Sequence, residues 1–494
     1  MTYIDYSIIA LYLLFVFCIG FYTRKYVNNF SDFMIAGRNV GLSLSVVTML
    51  GTELGLITVM YNAQTGINGF FASFHIGLAA FIVTGLIGLT GFVIVELRKL
   101  KVKSIPEYYN LRFGTNVRII GALLLSLGGI LNMGLFLRVG AIFIQSIFGL
   151  DNDTITLVMA LLLILVLIYT IFGGMISVII TDYIQYFILS IGFLLSVFFS
   201  IKYFGWNNLF ITLENIKVGN SVLEYDDIYN PIKNKGIYYV SWQVVLGFVS
   251  AVIWPTAITR ALSIKKVSMV RKQYMWSSIS FLIRFIVPCF LGICAFVYFN
   301  QNIDYLSSSY NTLSLMPLYL IKILPTGILG IVVAGMLAAF MSTHDSYLLC
   351  WSTIITNDII EPLFGKKISS RSKIAITRLL ILLLGIYIFI WGMFYEGSDA
   401  IWDYLGITGA IYFTGAISVV VLGIYWERAS SKGAIFALLG GFSAILGLEP
   451  IRNIVGLNLT DPSLIGLSTL FLTIFLMVVG SIMFPDSNEK VKKI

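Results

Sequence analysis

The sequence predicts an all-α integral membrane protein of about thirteen transmembrane helices, built around two five-helix halves of opposite sense. Three observations carry that expectation. The 494 residues are 58% hydrophobic and 11% charged, with a mean hydropathy of +0.93. Apolar runs repeatedly reach the ~20 residues that a bilayer-crossing helix needs, whereas a membrane β-barrel would alternate in segments of about 10. Two of the runs, five apart in order, are interrupted by glycine or proline at mid-depth.

The first span, near 4–22, follows Met1-Thr2-Tyr3-Ile4-Asp5, which lacks the basic stretch of a cleaved leader; a retained accessory helix over 1–25 is expected. The second, 42–60, contains Gly51-Thr52-Glu53-Leu54-Gly55, two glycines around a carboxylate. The third and fourth, 71–96 and 118–147, carry His75 and Arg138. The fifth and sixth lie at 154–172 and 177–201, with Asp182 near the start of the latter. A polar loop over 204–237, with Glu214, Glu224, Asp226 and Asp227, reads as a solvated cap or as a vestibule that attracts a substrate. The seventh, 238–261, contains Gly247 and the break Trp254-Pro255-Thr256, and ends at Arg260. The eighth, 273–299, holds Arg284. Spans at 327–357, 375–394, 400–425, 433–448 and 463–484 complete the set.

Breaks at the openings of 42–201 and 238–425 mark two repeats, and five helices per repeat make them run in opposite senses. The last two helices, 433–484, are accessory. Unwound backbone at membrane depth is tolerated only where protein buries it or a cavity is lined by it, so both breaks point at one central site.

Basic residues orient the chain. Arg24, Lys25 and Arg38 follow span one; Arg98, Lys99, Lys101, Lys103 and Arg112 follow span three. Lys265, Lys266, Arg271 and Lys272 follow span seven; Lys366, Lys367, Arg371 and Lys373 follow span nine. Arg428 and Lys432 follow span eleven, and Lys490, Lys492 and Lys493 the last. The alternate loops are poor in them. This predicts a multi-pass protein of the inner (plasma) membrane with its N-terminus outside and its C-terminus cytoplasmic. The net charge of +8 is accounted for by these loops and gives no nucleic-acid signal. Cys18, Cys289, Cys294 and Cys350 sit in apolar runs without metal or disulfide spacing, as inert thiols do.

Span nine carries the chemistry. Ala339, Ser342, Thr343 and Ser346 are three or four apart and share one helix face, with Asp345 beside them. Polar groups at this depth mark paths for ions or solutes, and oxygen ligands suit a hard alkali cation.

The chain resembles the sodium/solute symporter family, which includes sodium-coupled proline, galactose and sialic acid transporters. The motifs that carry the resemblance are Ser31-Asp32-Phe33 with Ala36-Gly37-Arg38, Ser104-Ile105-Pro106-Glu107-Tyr108 with Arg112-Phe113-Gly114, Gly173-Gly174 with Thr181-Asp182 and Gln185, Arg260, and Ala339 to Ser346 with Asn357-Asp358. They cover roughly 30–430, and the sialic-acid or organic-acid branch is the nearest match. The resemblance implies a leucine-transporter-type five-plus-five inverted repeat and Na⁺ as the coupling ion. It places the main sodium site on the carbonyls of Gly51, Leu54 and Ala339 and the hydroxyls of Ser342 and Thr343. A second sodium site would draw on Asp182, Ser342, Asp345 and Ser346, although members with that site carry serine at the place of Asp345.

The other intramembrane polar residues have two readings each. Asp182 is a helix-start carboxylate or a cation ligand. Glu53 caps broken helix ends or adds negative potential to the sodium site. Arg284 reads as a structural ion pair, and Arg138, on a wall of the cavity in this fold, as a bidentate clamp for a solute carboxylate. Thr58 would add a hydroxyl to that pocket, with Gly55, His75 and Gly247 along its walls, while Pro255 and Arg260 serve gating. His75 and His344 otherwise read as packed histidines. The function expected is Na⁺-coupled uptake of a small polar solute by a monomer, a carboxylate such as sialic acid, or else a neutral sugar or amino acid. A sensor or channel that kept the fold is the alternative of another class. No enzyme chemistry is expected, since no nucleophile–base pair or phosphate loop is legible.

Overall fold

The computed structural model describes residues 1–23, 29–218, 221–222, 224–301, 311–364, 368–394, 401–457 and 460–486. Arg24, Lys25, Lys366, Lys367, Lys490, Lys492 and Lys493, which helped to orient the chain, lie outside the described residues. The principal helices are α1 (Tyr3–Thr23), α2 (Leu42–Glu53), α3 (Leu56–Gly69), α4 (Phe74–Thr90), α5 (Thr115–Met133), α6 (Phe136–Phe148), α7 (Ile155–Phe204), α8 (Ile237–Ile253), α9 (Pro255–Ser263), α10 (Ser268–Gln301), α11 (Ile328–Ile354), α12 (Ser370–Phe394), α13 (Ile401–Tyr425), α14 (Ser431–Gly441) and α15 (Pro462–Met483). Two-residue strands at Lys217–Val218 and Ser221–Val222 form the one sheet among the described residues.

Eight helical runs among them are long and apolar enough to cross a bilayer, or ten when each of two bent pairs counts once. Shorter apolar helices stand at Tyr3–Ile19, Leu42–Glu53, Asn152–Ile168 and Thr312–Ile323. Helical bonding in α7 continues through 50 residues, where two spans were expected. At 1.5 Å per residue that is about 75 Å, more than twice a hydrocarbon core of ~30 Å, so one straight crossing cannot hold it.

Both expected breaks are present. The last helical donor of α2 is Leu54 N–H, on Leu50 O at 2.7 Å. Leu54 (φ −98°, ψ 60°) and the extended Gly55 (φ −78°, ψ 165°) then separate α2 from α3. The second break is dictated by Pro255, which lacks an N–H and forces its predecessor out of helical geometry. Trp254 accordingly sits at φ −65°, ψ 123°, and α8 and α9 meet at 41°.

The centre of the bundle is α11: 89% of its apolar window is buried, against 28% for α12, which turns Leu379, Leu382, Leu383, Ile386 and Ile390 outward. Asp5 of α1 fixes the start of α11 by accepting from the N–H groups of Gly327 (2.7 Å) and Gly330 (2.9 Å). A carboxylate there meets free helix donors and the positive end of the dipole. Short helices also occupy matching places in the two halves, Ile105–Phe113 between α4 and α5 and Thr312–Ile323 between α10 and α11.

The entry to α2 and the exit from α9 are stitched by main chain. Val40 N–H donates to Ser263 O (3.2 Å), and Lys265 N–H donates to Val40 O (3.0 Å). The guanidinium of Arg98 clamps Ile264 O from Nε and Nη2 at 3.0 and 2.6 Å, and Arg38 donates to the carbonyl of Lys101. Arg118 pairs with Asp358 at 2.8 Å, and Ser104 Oγ donates to the same carboxylate at 2.6 Å.

Candidate functional site

The first break leaves the carbonyls of Gly51, Thr52 and Glu53 beyond the last helical donor, as every helix end does. Three hydroxyls meet them in turn. Ser342 Oγ donates to Gly51 O (3.0 Å), Thr343 Oγ1 reaches Thr52 O (3.4 Å) and Ala339 O (3.0 Å), and Thr58 Oγ1 donates to Glu53 O (3.0 Å). Gly55 brings the two elements this close: a Cβ there would lie 1.9 Å from Thr343 Oγ1. Gly55 is thus a packing residue, where a pocket wall was expected. Carbonyl and hydroxyl oxygens packed in this way suit a small hard cation, which would take over the contacts the hydroxyl protons now make. Among the described contacts the Thr52 carbonyl, rather than that of Leu54, joins this cluster.

Asp182 lies beside it, fully buried. It accepts from Ser342 Oγ, from Thr48 Oγ1 (2.6 Å) and from Thr52 Oγ1 (3.3 Å), with Arg260 Nη2 at 3.5 Å. It sits within a continuous helix, so the helix-start reading does not hold. Arg260 Nη2 also donates to Ser346 Oγ at 2.6 Å, which places a guanidinium among the residues expected to hold a second sodium. Asp345 meets this group at Ser346, whose Oγ donates to its Oδ1 at 3.2 Å.

A cavity, about 750 Å³ with the open solvent at its mouth included, lies against the same cluster. Thr52 and Thr343 line it and also belong to the cation cluster. Its charged wall is an ion pair: Glu53 Oε2 accepts from Arg284 Nη1 (2.9 Å), and Glu53 Oε1 from Thr256 Oγ1 (2.8 Å). The guanidinium lies over the Phe281 and Phe285 rings at 4.7 and 4.9 Å. The ion pair expected for Arg284 is therefore present, and the Glu53 carboxylate meets side chains in place of the backbone N–H groups of its capping reading. Trp254 and Phe413, 4.9 Å apart, form an aromatic wall, and Trp254 Nε1 donates to Tyr347 OH (2.9 Å). Across the mouth, Trp402 packs on Tyr61 at 4.8 Å and donates to Gln243 Oε1 at 2.8 Å.

Several expected cavity residues lie elsewhere. Arg138 is not among the lining residues; its Nη1 donates to the carbonyls of Gly392 (2.9 Å) and Met393 (3.5 Å), at the end of α12. Free carbonyls at a helix C-terminus attract a cation, which is the physical reason for the correction. Gly247 meets Ala80 of α4. His75 Nδ1 contacts Ala72 O at 2.7 Å, and its ring lies against Tyr239. His344 is packed as expected, with Nδ1 on Phe340 O at 2.8 Å. Thr48 and Thr52 were missed, although their i, i+4 spacing beside Gly51 was visible. Asn132, whose amide donates to Leu405 O at 3.0 Å, was missed with them.

The model of the sodium:solute symporter family matches residues 33–441. The chain belongs to the sodium:solute symporter family. It is therefore a multi-pass membrane transporter with sodium as coupling ion, and not an enzyme. Similar proteins include the sodium/sialic acid symporter SiaT of Proteus mirabilis, 24% identical over 456 residues and covering 90% of this chain and 89% of that one. The human sodium/myo-inositol cotransporter is 25% identical over 492 residues, 89% of this chain and 66% of that longer one. A Na⁺-coupled sialic acid symporter solved in a substrate-bound outward-open state superposes with a TM-score of 0.82 at 21% identity, covering 98% of this chain and 99% of that one. MhsT, in complex with L-phenylalanine, gives 0.56 at 15%, covering 89% and 97%. The leucine-transporter-type fold is shared with both.

Proposed function

We propose that this member imports a small polyhydroxylated solute together with Na⁺ by alternating access. It acts as a monomer in the inner membrane, with thirteen spans, its N-terminus outside and its C-terminus cytoplasmic. The repeats span 42–201 and 238–425. Sodium is held by the Gly51, Thr52 and Ala339 carbonyls with Ser342 and Thr343. The observation that carries this reading is the shared wall: Thr52 and Thr343 contact both the cation cluster and the cavity. A cation that orders these residues shapes the solute pocket, and by linkage the solute raises cation affinity equally. One charge crossing 100 mV contributes about 2.3 kcal/mol, and a tenfold Na⁺ gradient about 1.4 kcal/mol. For a neutral solute they together support a gradient of roughly several hundredfold per Na⁺.

Aromatic walls beside dense hydroxyl and amide groups suit a sugar or polyol ring, and the solutes named in the relatives' descriptions, sialic acid and myo-inositol, are both polyhydroxylated. An acidic sugar is favoured by the Arg284 guanidinium on the cavity wall; a neutral one by Glu53, which already neutralises that guanidinium. A thermal-shift screen of acidic sugars, neutral sugars, polyols and amino acids, with and without Na⁺, tests the reading, since a ligand of the folded state stabilises it. Stabilisation by a polyhydroxylated solute only when Na⁺ is present is the expected result. Sodium-independent binding of every ligand in the screen would refute coupling.

A further inference from the structure

We propose that the cavity selects an uncharged polyhydroxylated solute, a neutral sugar or cyclitol, over its carboxylate-bearing counterparts, and that Asn132 reads one of the solute's hydroxyls. The inference deepens the sodium-coupled reading above and rests on it.

Glu53 and Arg284 are the only charged side chains among the described cavity residues, and their 2.9 Å contact makes the wall neutral. Thr256 Oγ1 anchors the Glu53 carboxylate from its other oxygen at 2.8 Å, while the Phe281 and Phe285 rings flank the guanidinium. A solute carboxylate that sought Arg284 would sit beside the Glu53 carboxylate, and two carboxylates sharing one site resist joint ionisation. The coupling cation does not supply the missing charge. Asp182 and Asp345 stand beside its cluster with one guanidinium, Arg260, so a monovalent cation is met there by protein groups.

The uncharged polar groups point the same way. Asn132 spends both amide protons inside the protein: Nδ2 donates to Leu405 O (3.0 Å) and Thr408 Oγ1 (3.2 Å). The Thr408 hydroxyl proton is itself committed to Tyr404 O (2.8 Å), so Thr408 can only accept from the amide. The amide is therefore held one way round, and Asn132 Oδ1 is left as an acceptor on the cavity wall. Such an acceptor bonds a hydroxyl and has nothing to offer a carboxylate. Tyr347 is the opposite case. Its oxygen accepts from Trp254 Nε1 (2.9 Å) and its ring packs on Phe136 at 5.0 Å, which leaves the O–H to donate. Acceptors at Asn132 and Glu53 with a donor at Tyr347 complement hydroxyl groups, each of which donates and accepts at once.

Matched pairs test this: glucose against glucuronate and galactose against galacturonate, with myo-inositol and N-acetylneuraminate alongside, each titrated in Na⁺ against thermal unfolding of the full-length protein. The expected result is Na⁺-dependent stabilisation by a neutral member, with its acidic counterpart bound about tenfold more weakly or worse. An acid that binds as tightly as its neutral partner, or stabilisation by N-acetylneuraminate alone, would overturn the neutral assignment and leave the sodium reading intact. No stabilisation by any of these solutes would overturn it too, and a wild type that Na⁺ itself does not stabilise would overturn both readings. Glu53→Gln keeps an acceptor for Thr256 and frees Arg284, so it should narrow the preference for the neutral member; an unchanged preference would overturn the role given to the pair. Monodeoxy analogues of the bound sugar locate the Asn132 contact. One of them should bind the wild type about tenfold more weakly, the equivalent of one hydrogen bond, and lose nothing further in Asn132→Leu. Full affinity of every monodeoxy analogue for the wild type would overturn the Asn132 assignment, even where Asn132→Leu fails to fold.

Discussion

Removing Arg284 alone should damage this protein more than removing Arg284 and Glu53 together. The pair is 2.9 Å apart, with side chains 9% and 10% exposed. In Arg284→Leu the Glu53 carboxylate keeps the Thr256 hydroxyl but loses its counter-charge, beside the rings of Phe281 and Phe285. Stripping one partner from a buried pair costs about 3–5 kcal/mol, whereas replacing both by apolar residues is often near neutral. In Glu53→Leu/Arg284→Leu the Thr256 hydroxyl loses its acceptor, a penalty of about 1–3 kcal/mol. The double variant should therefore regain about 2 kcal/mol of what either single variant loses. The assay is thermal unfolding of the detergent-purified protein, run as a double-mutant cycle. Uptake should be lost in all three variants, because the cavity wall has lost its polarity. Additive losses in the cycle, or an Arg284→Leu variant as stable as wild type, would refute the claim that the pair is one energetic unit.

Three further outcomes follow from the site. Ser342→Ala with Thr343→Ala removes two oxygens and leaves α11 helical, so uptake should need far more Na⁺ at normal membrane insertion; an unchanged Na⁺ dependence discards the assigned cluster. Asp182→Asn should weaken Na⁺ binding, because the carboxylate adjoins Ser342 and faces Arg260, and an unaltered Na⁺ titration of thermal stability argues for a packing role alone. Arg138→Ala should lower stability and reduce binding of acidic and neutral solutes equally, since its guanidinium caps α12; a loss confined to acidic solutes would return Arg138 to the cavity.

Legibility in the sequence differed by kind of residue. Both breaks could be read because glycine and proline act locally: Pro255 needs no partner to end a helix. The Ser342 and Thr343 face was legible because helical spacing alone puts it on one side. Arg138 and Arg284 show where this stops. Each is a mid-span arginine, and which of them meets the cavity depends on rotation about the helix axis. That rotation is set by packing against neighbouring helices, which hydropathy does not register. Gly247 failed similarly, because it faces a neighbouring helix. Asp182 was legible as a buried carboxylate, but its ring of Thr48, Thr52, Ser342 and Arg260 is assembled from three separate helices, α2, α11 and α9.

The stitch between Val40 and the Ser263–Lys265 segment is made by peptide groups. It ties the entry to one interrupted helix to the exit from the other, and this latch is independent of side-chain identity. Nearly any substitution at Val40 or Lys265 keeps both N–H donors, so random sequence drift leaves the latch intact while the loops around it change. Only an imino acid at either position deletes a donor outright. The tie between the two interrupted helices is thereby insulated from mutation, while the arginine contacts around it, at Arg38 and Arg98, depend on side chains that a single substitution removes.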